Sequence, residues 1–253
     1  QPRGGAHAVY TNACLIRGYH KMKNQLDQKD EIITTVLSHP CNAGAPAMAG
    51  FNVVNLYPDD ETGVPDMDAF KEAISENTAG LMITDPYDTG KYDDNLEDYI
   101  DMVHEVGGVV AVDQANFNGV IGKIRIGDIG ADLCHFNLHK TFGAPHGSYG
   151  PASAPVGARG ELKELLPIPS IDFDGDEYYL DYDRKDSIGK VAGFQGTAPA
   201  LLKAYSWIRR MWSKGLEEAA EMAVINNNSL MEKLLKIRGV DVSYQEDHRI
   251  QEA

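Results

Sequence analysis

The sequence predicts an α/β fold with a mostly parallel sheet flanked by helices, and three observations predict it. Short runs dense in β-branched and apolar residues, such as 32–37 and 108–113, alternate with stretches of helical periodicity. The alternation holds over most of the chain, as right-handed βαβ units require. At 253 residues the chain is long enough for one large domain with a substantial core, and it shows no internal repeat or low-complexity segment.

The first element follows a turn-forming segment, Gln1-Pro2-Arg3-Gly4-Gly5-Ala6-His7. Val9, Ala13, Ile16 and Met22 then recur at roughly helical spacing, predicting a helix over 8–25. A glycine-rich turn that opens a helix leaves backbone N–H groups free for an anion, although the same pattern also makes an ordinary helix-initiating loop. The run 32–37 is a strand by its β-branched content and ends at Ser38-His39-Pro40. A histidine there is either a site residue or a structural hydrogen-bonder. A short helix through 47–49, a strand 51–56 and a helix 66–75 capped by Asp66 come next. Then follow a strand 81–84, a helix 97–106 stopped by Gly107-Gly108, and a strand 108–113 ending in Asp113.

The chemistry concentrates in Gly130-Ala131-Asp132-Leu133-Cys134-His135-Phe136-Asn137-Leu138-His139-Lys140-Thr141-Phe142. It opens as a buried strand and ends on a lysine just before a Gly/Pro loop. A lysine after a strand is ordinarily a solvated charge. Where a sheet meets a loop, however, desolvation can free its amine to act as a nucleophile, as the Schiff-base lysine of a pyridoxal phosphate (PLP) enzyme does. Such an enzyme also needs an acid beside the pyridinium nitrogen, and Asp113, at the carboxyl end of a strand, points toward the ligand crevice of an α/β sheet. A metal reading competes, because His135 and His139 are four apart with Cys134 adjacent; the strand-like start and the lack of a Glu after His135 oppose it. No G-x-G-x-x-G follows a strand, and no G-x-S-x-G supports hydrolysis.

Beyond Lys140, residues 173–184 are acidic and aromatic and read as a surface insertion or lid. Thr197 opens a helix carrying Leu201, Leu202, Tyr205, Ile208 and Met211, with Thr197 as its N-cap. A long amphipathic helix over 216–235 then leads to a strand at 240–244. The division expected is a PLP-binding large domain over 1–213, and a linking helix with the start of a smaller C-terminal α/β domain over 214–253.

The motif NLHKTF, followed by Pro145-His146-Gly147 and preceded by DIGAD and D-x-A-N, resembles the PLP-carrying part of the glycine dehydrogenase (decarboxylating) family, the P-proteins of the glycine cleavage system. The likeness runs from Gln1 to about Ile225 and is nearest to the second subunit of the split form. It implies the large domain of the PLP-dependent transferase fold type I, in a chain that is a fragment. It implies that Lys140 carries PLP, that Asp113 partners the ring nitrogen, and that His39 stacks on the ring. The phosphate is expected at Gly5 and Ala6, with Ala115, Asn137 and His139 also at the cofactor. Thr197 is expected to reach across a dimer interface to the other active site. The implied reaction is decarboxylation of glycine, with the aminomethyl group passing to the lipoyl arm of a carrier, the H-protein. Implied partners are that carrier and the first P-protein subunit, in a dimer or heterotetramer. The sequence departs from the family at Gly4, His7 and Pro40-Cys41, at Gly143 where the family has Cys, and at Ser148-Tyr149 where it has glycines. The alternatives are a divergent fold-type-I enzyme (aminotransferase, lyase or decarboxylase) and a catalytically silent structural subunit, which the presence of Lys140 and Asp113 opposes.

A formal net charge of −15 argues against nucleic acid, whose binding needs a basic face. No run has the length of a membrane span. Three scattered cysteines, Cys14, Cys41 and Cys134, suit a reducing compartment, so the expectation is a soluble cytoplasmic protein.

Overall fold

The computed structural model describes residues 1–147, 152–244, 248–250 and 252, so Ser148 and Tyr149 lie outside the described residues. The strands of the main sheet are β1 (Glu31–Thr35), β2 (Asn52–Leu56), β3 (Thr78–Thr84), β4 (Val109–Asp113), β5 (Leu133–His135) and β6 (Val156–Ala158). They are ordered β2-β1-β3-β4-β5-β6; the first five are mutually parallel, and β6 returns antiparallel to β5. The helices are α1 (Gly5–Met22), α2 (Cys41–Met48), α3 (Met67–Ala73), α4 (Leu96–Glu105) and α5 (Ala198–Leu234).

Helices cover both faces, so the central strands are buried on both sides, and every residue of β3 and β4 is buried. The pleat sends alternate side chains to opposite layers. In β4, Val109 and Ala111 pack with Val9, Ala13 and Ile16 of α1, whereas Val110 and Val112 pack with Phe70, Tyr99 and Ile100 of α3 and α4. Each large aliphatic side chain so buried contributes about 1.5–3 kcal/mol. Gly80 of β3 is dictated by this packing, since a Cβ there would stand 2.2 Å from the Val109 carbonyl oxygen on the neighbouring strand.

By the same alternation, Asp113 shares the face of Val109 and Ala111, toward α1. Register then sets its neighbours: Asp113 pairs with Thr84 on one side and with His135 on the other. The carboxyl ends of three adjacent strands therefore bring these side chains together at one edge of the α1 layer.

The expected elements form, with ends shifted by a few residues. The helix expected over 8–25 begins earlier, at Gly5, and Asp66 caps α3 by accepting from the Asp68 N–H. The segment 173–184, expected as a surface insertion or lid, is largely exposed and carries most of a hairpin, β7 (Ser170–Phe173) with β8 (Tyr178–Asp181). Two expectations are corrected. The two helices expected after Thr197 form, meeting at a kink at Trp212 within α5, but Thr197 does not cap the first by its side chain, because the hydroxyl donates to the Ala152 carbonyl at 2.9 Å. No strand forms at 240–244, where the segment has no β partner among the described residues. No helix among the described residues is long and apolar enough to cross a membrane.

Candidate active site

A cavity of about 510 Å³ opens where the carboxyl ends of β4 and β5 meet the start of α1. Gly5, Ala6, His39, Asp113, Ala115, Asn137, His139 and Lys140 all line it, so eight of the nine residues expected from the sequence are brought to one place. Thr197 is not among the lining residues. Lys140 is exposed, so the burial expected around its amine is not supplied by the chain's own side chains. His39 is likewise exposed, at the loop between β1 and α2.

The turn at the head of α1 approaches the lysine loop closely. Asn137 lies against Gly5, and a Cβ at Gly5 would stand 2.7 Å from the Asn137 amide nitrogen, so any larger residue would have to displace it. The first helical hydrogen bond of α1 runs from the Ala8 N–H to the Gly4 carbonyl, which leaves the N–H groups of Gly5, Ala6 and His7 without intrahelical partners. No side chain caps this end. Free N–H groups and the helix dipole together favour an anion here.

Asp113 is held on both oxygens. Its Oδ1 accepts the Ala115 N–H at 2.9 Å and its Oδ2 accepts the Asn42 side-chain amide at 2.8 Å. His135 Nε2 stands 3.1 Å from Oδ1, in contact but outside hydrogen-bonding alignment. Burial acts to raise the carboxyl pKa, yet His135, Asn42 and the Ala115 N–H together outweigh it and hold the group well below the ordinary carboxylate range. Asp113 is therefore a buried carboxylate that stays ionised, able to hold a proton on a ligand nitrogen by charge.

Two histidines flank Lys140. His139 and His146 lie with ring centroids 4.1 Å apart, and burial, then His146 and Lys140, push the His139 pKa down to about 4. On the opposite side of the cavity, His39 Nδ1 accepts the Cys41 N–H at 3.2 Å and lies 2.9 Å from the Cys41 sulfur. A backbone N–H can only donate, so the His39 ring proton sits on Nε2. Burial and the neighbouring Asp113 push the Cys41 thiol up to about 12, so it acts as a neutral donor rather than a nucleophile.

Several buried polar atoms around this cavity have no hydrogen-bond partner among the described residues: Asn137 Oδ1, His139 Nδ1, His146 Nδ1 and His135 Nδ1. Buried polar groups are rarely left so, and here they surround a hole of ligand size. Cys134 packs on the far face of the sheet with the α4 layer, so it does not join His135 and His139 in one site. Arg3, Cys41, His135 and His146 line the cavity without having been assigned roles from sequence, and Asn42 lies behind it. His135 carried the one readable signal among them, sharing strand parity with Leu133 at a strand end.

The sequence model of the family described as "Aminotransferase class-V" matches residues 3–148. The chain is 42% identical over 248 residues to a probable glycine dehydrogenase (decarboxylating) subunit 2 of Pyrococcus horikoshii, covering 97% of this chain and 49% of the relative. It is 42% identical over 233 residues to the protein of that name from Caldanaerobacter subterraneus subsp. tengcongensis, covering 92% and 48%. The chain thus spans about half the length of the curated relatives it matches. Among solved structures, a sphingosine-1-phosphate lyase of Burkholderia pseudomallei superposes with a TM-score of 0.67 at 17% identity, over 94% of this chain and 53% of that one. The cysteine desulfurase CsdA of Escherichia coli gives a TM-score of 0.63 at 22% identity, over 90% and 57%.

Proposed function

This chain belongs to the class-V aminotransferase family, and we propose on that premise that it is the PLP-carrying part of a glycine dehydrogenase (decarboxylating), the second subunit of a split P-protein. Its fold is the fold-type-I large domain expected from the sequence. The observation that carries the proposal is that Lys140, Asp113 and the α1 turn, far apart in sequence, line one cavity of cofactor size.

The residues present fit PLP. Lys140 would hold it covalently through the aldehyde carbon. The N–H groups of Gly5 and Ala6 would take the phosphate, with Asn137 closing that end. Asp113 would hold a proton on the ring nitrogen, and His39 would cover one ring face with its Nε2–H directed by the bonds at Nδ1. Ala115 and His139 would complete the wall. Bound in this way, PLP supplies an electron sink for the bond broken at the α-carbon of an amino acid. Asp113 keeps that sink charged because it remains ionised while buried. His139, its pKa depressed, is uncharged near neutral pH and so does not compete with Lys140 for an anion.

With glycine as substrate, the bond from the α-carbon to the carboxylate breaks, carbon dioxide leaves, and the aminomethyl group passes to the lipoyl arm of a carrier protein. The partners of this reading are that carrier and a first subunit, in a dimer or heterotetramer in which Thr197 serves the neighbouring site. The large domain is taken as 1–213, with 214–253 leading toward a smaller one.

The test is Lys140→Ala in the full-length protein. It should abolish the visible absorbance of the covalent lysine–PLP adduct and leave no PLP adduct to be trapped by borohydride, and glycine–bicarbonate exchange should be lost with it. A reducible adduct on another lysine would overturn the assignment.

A further inference from the structure

Asn42 is buried and lies just behind the cavity, and the proposed cofactor chemistry does not use it. Its side-chain amide nitrogen lies 2.8 Å from Asp113 Oδ2, 3.2 Å from Thr84 Oγ1 and 3.3 Å from the His39 carbonyl oxygen. Thr84 Oγ1 in turn accepts the His39 N–H at 3.2 Å. The backbone of His39 is thus gripped at its N–H by Thr84 and at its carbonyl by Asn42, while the same amide fixes one oxygen of Asp113. One uncharged side chain therefore ties the loop after β1, the end of β3 and the end of β4 into a single knot.

We propose that Asn42 is a positioning residue that sets the Asp113 carboxylate and the His39 loop at their mutual geometry across the cavity; this rests on the PLP reading above. This side chain bridges the two walls that would meet the pyridine ring, its nitrogen partner and its stacking face, while the Asn42 backbone N–H, which donates to the His39 carbonyl at 2.9 Å, is kept in any variant. An Asn suits the task because its NH2 carries two N–H donors, shared among these acceptors, and brings no second charge beside Asp113. The other donor to Asp113, the Ala115 N–H, lies on Asp113's own strand end and cannot hold it relative to His39.

The titratable groups around Asp113 are His135 on β5, Cys41 at the start of α2 and Asp88 in the loop after β3, with Lys140 across the cavity. All of them persist when Asn42 is changed, so a difference between wild type and variant reports the lost amide. Removing a donor from an ionised carboxylate makes it easier to protonate. The acid-side midpoint for loss of bound-PLP absorbance should therefore move upward in Asn42→Ala by about one pH unit, the size of one charge-assisted hydrogen bond. The dissociation constant for PLP should rise about tenfold, since the same bond stabilises the bound geometry.

The experiment is a pH titration of the visible absorbance of full-length protein loaded with PLP, run beside Ser38→Ala. Ser38 is buried nearby and accepts the Thr84 N–H at 2.8 Å without touching Asp113, so its loss should lower stability and leave the midpoint in place. Asn42→Ser, whose shorter side chain removes the reach to Asp113 with a smaller void, should show the same upward shift if the alanine variant folds poorly. An unchanged midpoint in a folded Asn42 variant, or an equal shift in Ser38→Ala, would overturn the inference. A wild-type protein that binds no PLP would instead overturn the cofactor reading on which it rests.

Discussion

Asp85 shows how burial sets a titration at the scale of one residue. It follows β3 directly; its Oδ1 accepts the Asp93 N–H at 3.4 Å, while its buried Oδ2 has no hydrogen-bond partner among the described residues. Burial, opposed by that N–H and reinforced by the charges of Asp93 and Asp94, raises its pKa from the ordinary 3.8 to about 7. A carboxyl that binds its proton more tightly when folded favours the fold at low pH and loses that contribution as pH rises through the interval from about 4 to 7. Asp85→Asn, which keeps an acceptor and cannot ionise, should be more stable than wild type by on the order of 2 kcal/mol at pH 8, with the gain shrinking toward pH 4.5. Urea midpoints at those two pH values check it, and an equal difference at both would refute the buried ionisation. The same scale explains what the sequence made legible. Lys140, Asp113 and Gly5 could be read because each couples a chemical need to the end of an element. Asn42 and His135 could not be assigned roles, because their importance comes from register and from distances across strands that no local pattern encodes.

At the scale of elements, sequence pattern identified the helices and the five parallel strands but not β6, β7 or β8; the two-sided burial of β3 and β4 leaves continuous apolar runs. It failed where an element's fate depends on what it meets. Residues 240–244 have strand-like composition but no partner among the described residues, so their backbone groups have no ladder to join. Within α5, by contrast, the two helices expected from the sequence do form, divided at Trp212. Trp212 carries φ 53 and ψ −177 there, a conformation in which only glycine is unstrained. The ring lies largely exposed, with the Arg209 guanidinium 4.8 Å from its centroid, a contact that contributes little at such exposure. Trp212→Gly should therefore raise stability by about 1 kcal/mol, the reverse of the usual effect of glycine inside a helix. Thermal melts would decide it, and a loss of about 1 kcal/mol would mean that the backbone is regularly helical at that point.

The whole molecule supplies what no element holds alone. The cavity takes Gly5 and Ala6 from the head of α1, His39 from the loop after β1, Asp113 from the end of β4, and Asn137 to Lys140 from beyond β5. Their separation along the chain means that only the assembled sheet brings them together, and unfolding disperses them. A ligand that engages them binds the folded state alone and stabilises it by mass action. Adding PLP to cofactor-free full-length protein at about a hundredfold above its dissociation constant should therefore add about 2.7 kcal/mol, a rise of several degrees in melting temperature. Lys140→Ala should keep part of this rise, because the phosphate turn and Asp113 remain, but should need more PLP to reach it. Gly5→Val should lose most of it, since its side chain would collide with Asn137 at the anion end. Differential scanning fluorimetry across a PLP titration separates these cases. A melting temperature indifferent to PLP in the wild type would mean that the assembled cavity serves some other ligand, however well its residues match the chemistry.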